Sequence, residues 1–213
     1  MKGLLIVICG LGCLVGVAQT TFTEKVSVNS QELVQIDFPF TDEIIIKTWD
    51  EQEVSVEAKV TINDGEDDQM FAIGKSSSSS EIRVFMDEEP WKSNEKKRNN
   101  WSTEIFITVY VPKSLDVRAK TISGNIVSDY FGKSLDLKTI SGDIDLTILP
   151  NSGLDFKAKT ISGDIFSDLE VQFPNGKDGL RKIVGMDLEG RIRNGGEKSH
   201  FETISGNVFL RKG

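Results

Sequence analysis

The tetrapeptide TISG occurs four times in the second half of this chain, at Thr121–Gly124, 139–142, 160–163 and 203–206. No other feature narrows the possible folds as much. Its glycines lie 18, 21 and 43 residues apart; the last gap is close to two periods, and MDLEGRIRNGG (186–196) reads as a degenerate copy within it. A period near 20 residues marks a repeat architecture in which each unit covers its neighbour's apolar face. The copies LDVRAKTISGNI, LDLKTISGDI, LDFKAKTISGDI and HFETISGNV are strand-like throughout. The expected unit is therefore one turn of a β-solenoid, not a helical hairpin.

Aligned on the motif glycine, the copies form rows that would stack about 4.8 Å apart. Val117, Leu135 and Phe156 stand seven residues before it, and Ala119, Leu137 and Ala158 five before it. Ile126, Ile144, Ile165 and Val208 stand two after it. These rows are apolar and should face a core, yet an odd step of seven separates the second set from the third, so a regular strand would turn them to opposite faces. The chain must change phase within TISG. Gly124, Gly142, Gly163 and Gly206 are thus expected as turn residues, since glycine tolerates positive φ and a following Asn or Asp favours a turn. Arg118, Asp136 and Lys157 form an outward row of alternating sign, favourable if the three are neighbours in this order.

Upstream, DEIIIKTWDEQEVSVEAKVTI alternates with period two, placing Val54, Val56, Ala58, Val60 and Ile62 on one side. EIFITVYVP does the same. Two polar excursions interrupt the strands, at 63–80 and 87–101, both rich in turn formers and charge. Ser76–Ser80 reads as a flexible linker. The organisation predicted is a signal peptide (1–18), an N-terminal β region (19–111) and a TISG-repeat solenoid (112–213), the last two in one continuous all-β domain.

The leader MKGLLIVICGLGCLVGVAQ carries one Lys and an uncharged apolar run, with Gly16 and Ala18 placed for cleavage before Gln19. At 16 residues, Gly3–Ala18 is shorter than the roughly 20 that span a bilayer, so no transmembrane segment is expected once the signal is removed. Lipoprotein processing at Cys13 is the rival, opposed by Gly10 where a branched apolar residue belongs. Both cysteines, Cys9 and Cys13, lie in the leader, which leaves the mature chain no disulfide or thiolate chemistry. Cleavage leaves 24 basic against 33 acidic residues, net −9. Such an acidic exported chain suits neither nucleic acid nor anionic lipid.

The ordered combination of DEIIIKTWDEQEVSVEAKV, a VYVP strand, serial TISG-D/N-I copies and RIRNGGEKSHFETISGNVFLRKG resembles the bacterial putative-adhesin family of unknown function. The likeness covers nearly the whole mature chain. It implies an exported, envelope-associated β-solenoid and brings no binding residues with it.

Catalytic chemistry is poorly supplied. His200 is the only histidine and reads as an exposed strand residue; no GxSxG elbow accompanies it. Asp143 and Asp164 follow their glycines directly, and on adjacent coils would stand about 5 Å apart, the separation of a retaining glycosidase pair. The same pair would suit a calcium ion. Asp64, Glu66 and Asp68 in DGEDD have calcium-like alternate spacing without the remaining ligands of a calcium loop. Trp91 and Trp101, with Lys97 and Arg98 between them, could contact a sugar or a protein partner, or pin a hairpin to the core. No cofactor motif is present. The expected function is a non-enzymatic envelope protein, periplasmic, surface-exposed or secreted, with an adhesin-like or scaffold role toward an envelope protein or glycan. The alternatives are a carbohydrate-active enzyme on a β-helix scaffold and a periplasmic sensory or regulatory partner of a membrane protein.

Overall fold

A computed structural model describes residues 19–92, 102–173 and 185–213. The expected leader with Cys9 and Cys13 lies outside them, as do Lys97, Arg98 and Trp101. The described chain is all-β. Its elements are β1 (Thr20–Ser27), β2 (Leu33–Asp37), β3 (Phe40–Trp49), β4 (Glu53–Ile62), β5 (Ile73–Ser77), β6 (Glu81–Met86), the four-residue α1 (Glu89–Lys92), β7 (Thr103–Pro112), β8 (Asp116–Lys120) and β9 (Ser123–Tyr130). There follow β10 (Leu135–Ser141), β11 (Ile144–Ile148), β12 (Leu154–Ser162), β13 (Ile165–Ser167), β14 (Val171–Gln172), β15 (Met186–Ile192), β16 (Lys198–Ser205) and β17 (Val208–Lys212). All seventeen strands join one sheet that does not close into a barrel.

Two series of parallel pairings organise it. One runs β6, β2, β8, β10, β16, β12. The other runs β7, β3, β9, β11, β17, β13. Each level takes one strand from each series, and from β2–β3 onward a short corner joins the two. Antiparallel strands finish both ends, β5 on β6 and β4 with β1 beyond β7 at one, β15 and β14 beyond β12 at the other. The inward rows from both sides of the corner merge in one buried cluster, in which Val117, Leu135, Ala119, Leu137, Ile126, Ile144 and Val208 are all fully or almost fully covered.

The order of the levels departs from the sequence reading. β16 pairs in parallel with both β10 and β12, so the fourth TISG copy lies between the second and the third. MDLEGRI is not a further copy in the stack; it is β15, antiparallel to β12 on its outer edge. From β15 the chain turns through Arg193 and Gly195, both at positive φ, and crosses the start of β12 to enter the gap. That crossing is tight: a Cβ on Gly153 would lie 2.1 Å from the Gly195 carbonyl oxygen. Asp155 secures the turn by a 2.7 Å ion pair with Arg191. All four copies carry compatible inward residues, and so the rows alone do not determine which copy lies beside which.

The charged row changes accordingly. Arg118 pairs with Asp136 at 3.1 Å, but Asp136 is flanked on its other side by His200, whose Nδ1 is 3.5 Å from it. Lys157 is not beside Asp136; it reaches Glu189 at 3.3 Å on β15. The serine run is no linker either. Ser76 and Ser77 close β5, and the Ser78 hydroxyl accepts the amide of Glu81 at 3.1 Å in a hairpin turn to β6.

Two carboxylates in this outer layer are held below their ordinary values. The hydrogen bond from Arg191 lowers Asp155, and that from Lys159 lowers Glu202, both against the opposing effect of burial. A depressed folded value gives stability that is complete above the unfolded carboxylate range, near pH 4, and lost as pH falls through the folded value. The melting temperature should therefore hold near neutrality and decline below about pH 4. Arg191→Met should blunt that decline; an unchanged acid limb in this variant would remove Asp155 from the explanation.

Candidate functional site

Each residue of TISG has a separate task at the corner. The threonines are buried, and their hydroxyls donate to the motif glycine carbonyl one level away: Thr139 to Gly124 at 3.1 Å, Thr203 to Gly142 at 3.0 Å and Thr160 to Gly206 at 2.9 Å. Thr121, at the end of the row, reaches the Pro39 and Ser123 carbonyls instead. Satisfying a buried hydroxyl and a carbonyl together is worth about 1 kcal/mol per level.

The glycines are required by close approach more than by dihedral. φ is 111° at Gly124 and 157° at Gly142, whereas Gly163 and Gly206 do not have the expected positive φ. All four share a different constraint. A Cβ would stand 2.1 Å from the Thr41 carbonyl oxygen at Gly124, and 1.9–2.0 Å from the neighbouring glycine's oxygen at Gly142, Gly206 and Gly163.

The Asn/Asp row is a ladder. Asp143 N–H donates to Asn125 Oδ1 at 2.9 Å, Asn207 N–H to Asp143 Oδ1 at 2.7 Å, and Asp164 N–H to Asn207 Oδ1 at 3.0 Å. Asp143 and Asp164 are therefore not neighbours. Asn207 stands between them because β16–β17 fills that gap, which puts the two carboxylates two strand spacings, about 9.6 Å, apart. Neither the retaining glycosidase geometry nor a shared calcium fits this placement. Among the described residues no group of three or more His, Cys, Asp and Glu converges as a metal site. Asp143→Asn keeps an acceptor oxygen in the ladder, so it should cost under about 1 kcal/mol. Millimolar calcium should leave the melting curves of both proteins in place; a shift in the parent alone would restore the carboxylate site.

The other sequence candidates fall elsewhere. Trp91 is half-buried on α1 and packs against the core. Asp68 is buried and accepts the Ile62 amide at 2.6 Å and the Thr20 hydroxyl at 2.5 Å, so DGEDD forms a structural turn. His200 has the Asp136 carboxylate beside it, 3.5 Å from Nδ1.

Sequence reasoning missed the second motif residue. Ile122, Ile140, Ile204 and Ile161 stack at the corner and are 44%, 44%, 40% and 45% exposed. The apolar rows seven and five residues before the glycine and two after it face mainly inward, while three after it Val127, Phe209 and Phe166 lie on the outer face, Phe166 being 49% exposed. Four isoleucines at one strand spacing make a ridge about 14 Å long, and Pro39 extends it at the β2–β3 corner beside Phe40, itself 55% exposed. A shallow groove of about 330 Å³ follows one side, between Pro39, Ile122, Ile140 and Ile204 and the charged Lys120, Lys138 and Glu202. The available signal was the invariance of Ile at a position that alternation assigns to solvent.

No protein-family model matches the chain, and no curated protein matches it. Among solved structures, a putative cell adhesion protein from Clostridium sporogenes superposes with a TM-score of 0.56 at 11% identity, over 92% of this chain and 100% of that one. At that identity the likeness concerns the fold alone. A putative adhesin from Bacteroides fragilis is similar at a TM-score of 0.31 and 10% identity, over 92% of this chain and 98% of its own, too distant to carry an argument.

Proposed function

We propose that this chain is a non-enzymatic, exported protein of the cell envelope, a β-solenoid with an adhesin-like role that acts through its outer surface. The carrying observation is the isoleucine ridge. Solvating that strip, on the order of 300 Å² of continuous apolar surface, is unfavourable, and patches of this size on monomers commonly mark contact sites. The solenoid reading is supported by two parallel series that share levels. The leader sequence supports export, and the fold shared with the clostridial cell adhesion protein supports a binding role. Residues 19–111 and 112–213 are read as one domain because β2 pairs with β8 and β3 with β9.

The test replaces all four ridge isoleucines with threonine and compares crosslinking in intact cells, followed by fractionation, with the parent. The variant should melt like the parent and shift from envelope-bound to soluble fractions. Equal envelope retention would remove the ridge from the function, and recovery of the parent only from the cytosol would overturn export. Crosslinks confined to one membrane protein would favour the regulatory reading.

A further inference from the structure

The ridge has different flanks. On the side that precedes it in the chain, one level at a time, stand Lys120, Lys138, Glu202 and Lys159, paired in this order across β8, β10, β16 and β12. On the side that follows stand Asn125, Asp143, Asn207 and Asp164. The two flanks are matched within each of these four levels: the levels of Lys138 and Lys159 carry Asp143 and Asp164, and the level whose first flank is Glu202 carries the neutral Asn207.

We propose that the ridge is the contact surface of a second copy of this chain, docked ridge to ridge about a two-fold axis parallel to the stack. This rests on the reading of the ridge as a contact surface and names its occupant. A two-fold along the stack direction keeps levels in register and brings the first flank of one copy against the second flank of the other. Lys138 then faces Asp143 of its mate, Lys159 faces Asp164, Lys120 faces Asn125 and Glu202 faces Asn207, with no like charges opposed at these four levels. At the Pro39 level beyond them Asp37, held by Arg83 and Lys120 at 2.9 Å each, would face Glu43. A two-fold across the stack would instead set Lys120 against Lys159 and leave both aspartates facing amides. Charge pattern therefore selects the parallel arrangement. Four isoleucines from each copy would meet in the centre with the charges at the rim, which is the anatomy of a protein interface. The area is at the low end for such contacts, so the dimer is reversible.

The geometry can be tested at the ends of the ridge. In the parallel dimer each isoleucine meets its own counterpart, so both Ile122→Cys and Ile161→Cys, made singly in the full chain, should give self-crosslinked dimers with a short bismaleimide, above the background of the parent. In an antiparallel pair the ends lie far from their counterparts, and only a mixture of the two variants would crosslink; that result overturns the proposal. Sedimentation of the parent should show average mass rising toward two protomers from roughly micromolar to millimolar protein. The Asp164 carboxylate makes no hydrogen bond or ion pair among the described residues, so Asp164→Lys should leave the melting curve unchanged while weakening dimerisation about tenfold by facing Lys159. A parent that stays monomeric throughout overturns the second copy as occupant. The ridge's role would then still be judged by the envelope-retention comparison, where loss of retention in a monomer points to a different partner.

Discussion

Gly206→Ala should destabilise the protein by roughly 4 kcal/mol or more, in the extreme tail of single substitutions. The new Cβ would stand 1.9 Å from the Gly142 carbonyl oxygen and 2.6 Å from its carbon. Neither atom is the end of a flexible side chain. The Gly142 oxygen is held by the Thr203 hydroxyl at 3.0 Å, and the backbone on either side is tied by Gly142 N–H to Ser205 O at 3.1 Å and Gly206 N–H to Ser162 O at 3.2 Å. Relief requires prising two levels apart in the middle of the stack. For a chain of this size the melting temperature should fall on the order of 10 °C. Gly132→Ala provides the contrast. Gly132 has φ of 90° but a Cβ there would meet nothing within 4 Å, so only the left-handed penalty of about 1 kcal/mol applies. Equal losses at the two sites would refute close approach as the reason for the motif glycines.

Phe201→Ala should cost about 3–5 kcal/mol. The ring is fully buried, lies in β16 between Leu137 and Ala158, and stacks on Phe156 with centroids 6.5 Å apart at 30°. The large ring occupies space that Ala158 leaves open. The cavity left by truncation cannot collapse, because hydrogen-bonded levels on both sides hold the strand spacing. Phe201→Leu, which keeps most of the volume, should lose under about 1.5 kcal/mol. Denaturant unfolding at constant m-value would measure both. A loss near 1 kcal/mol for the alanine variant would mean that the levels close up on the cavity.

The inward rows were legible because burial imposes a fixed choice of residue type: Leu137, Ile144 and Val208 follow from period-two patterning and the phase change at the corner. Level order was not legible, since any of the copies satisfies any neighbour's apolar row. Only pair-specific contacts distinguish them, such as His200 beside Asp136, and those involve residues that are unremarkable in isolation. The same ambiguity brought Asp143 and Asp164 together on paper. Their separation by Asn207 is a property of topology, which a repeat's spacing does not encode. The ridge was overlooked for a different reason: the motif was read as a corner set by its glycine and the isoleucine before it was given no facing, although Ile140 differs from Ile144 only in which side of the corner glycine it occupies.

The placement of β16 and β17 gives the molecule a condition for completeness. An ordinary stack can grow from one end, each new layer covering the one before, and an unfinished chain is merely shorter. Here β12 and β13 are made before the strands that join them to β10 and β11, so the partly made repeat region has a vacant slot in its middle. Until that slot is filled, β10 and β12 both present unpaired edges, a hazard for any chain that emerges in order from its amino end. Cutting the chain before Lys198 should therefore do more than fray an end. It would leave β10 and β12 without the strand that separates them and, their apolar rows being compatible, free to pair with each other, so the native order of levels depends on residues far from the first strands.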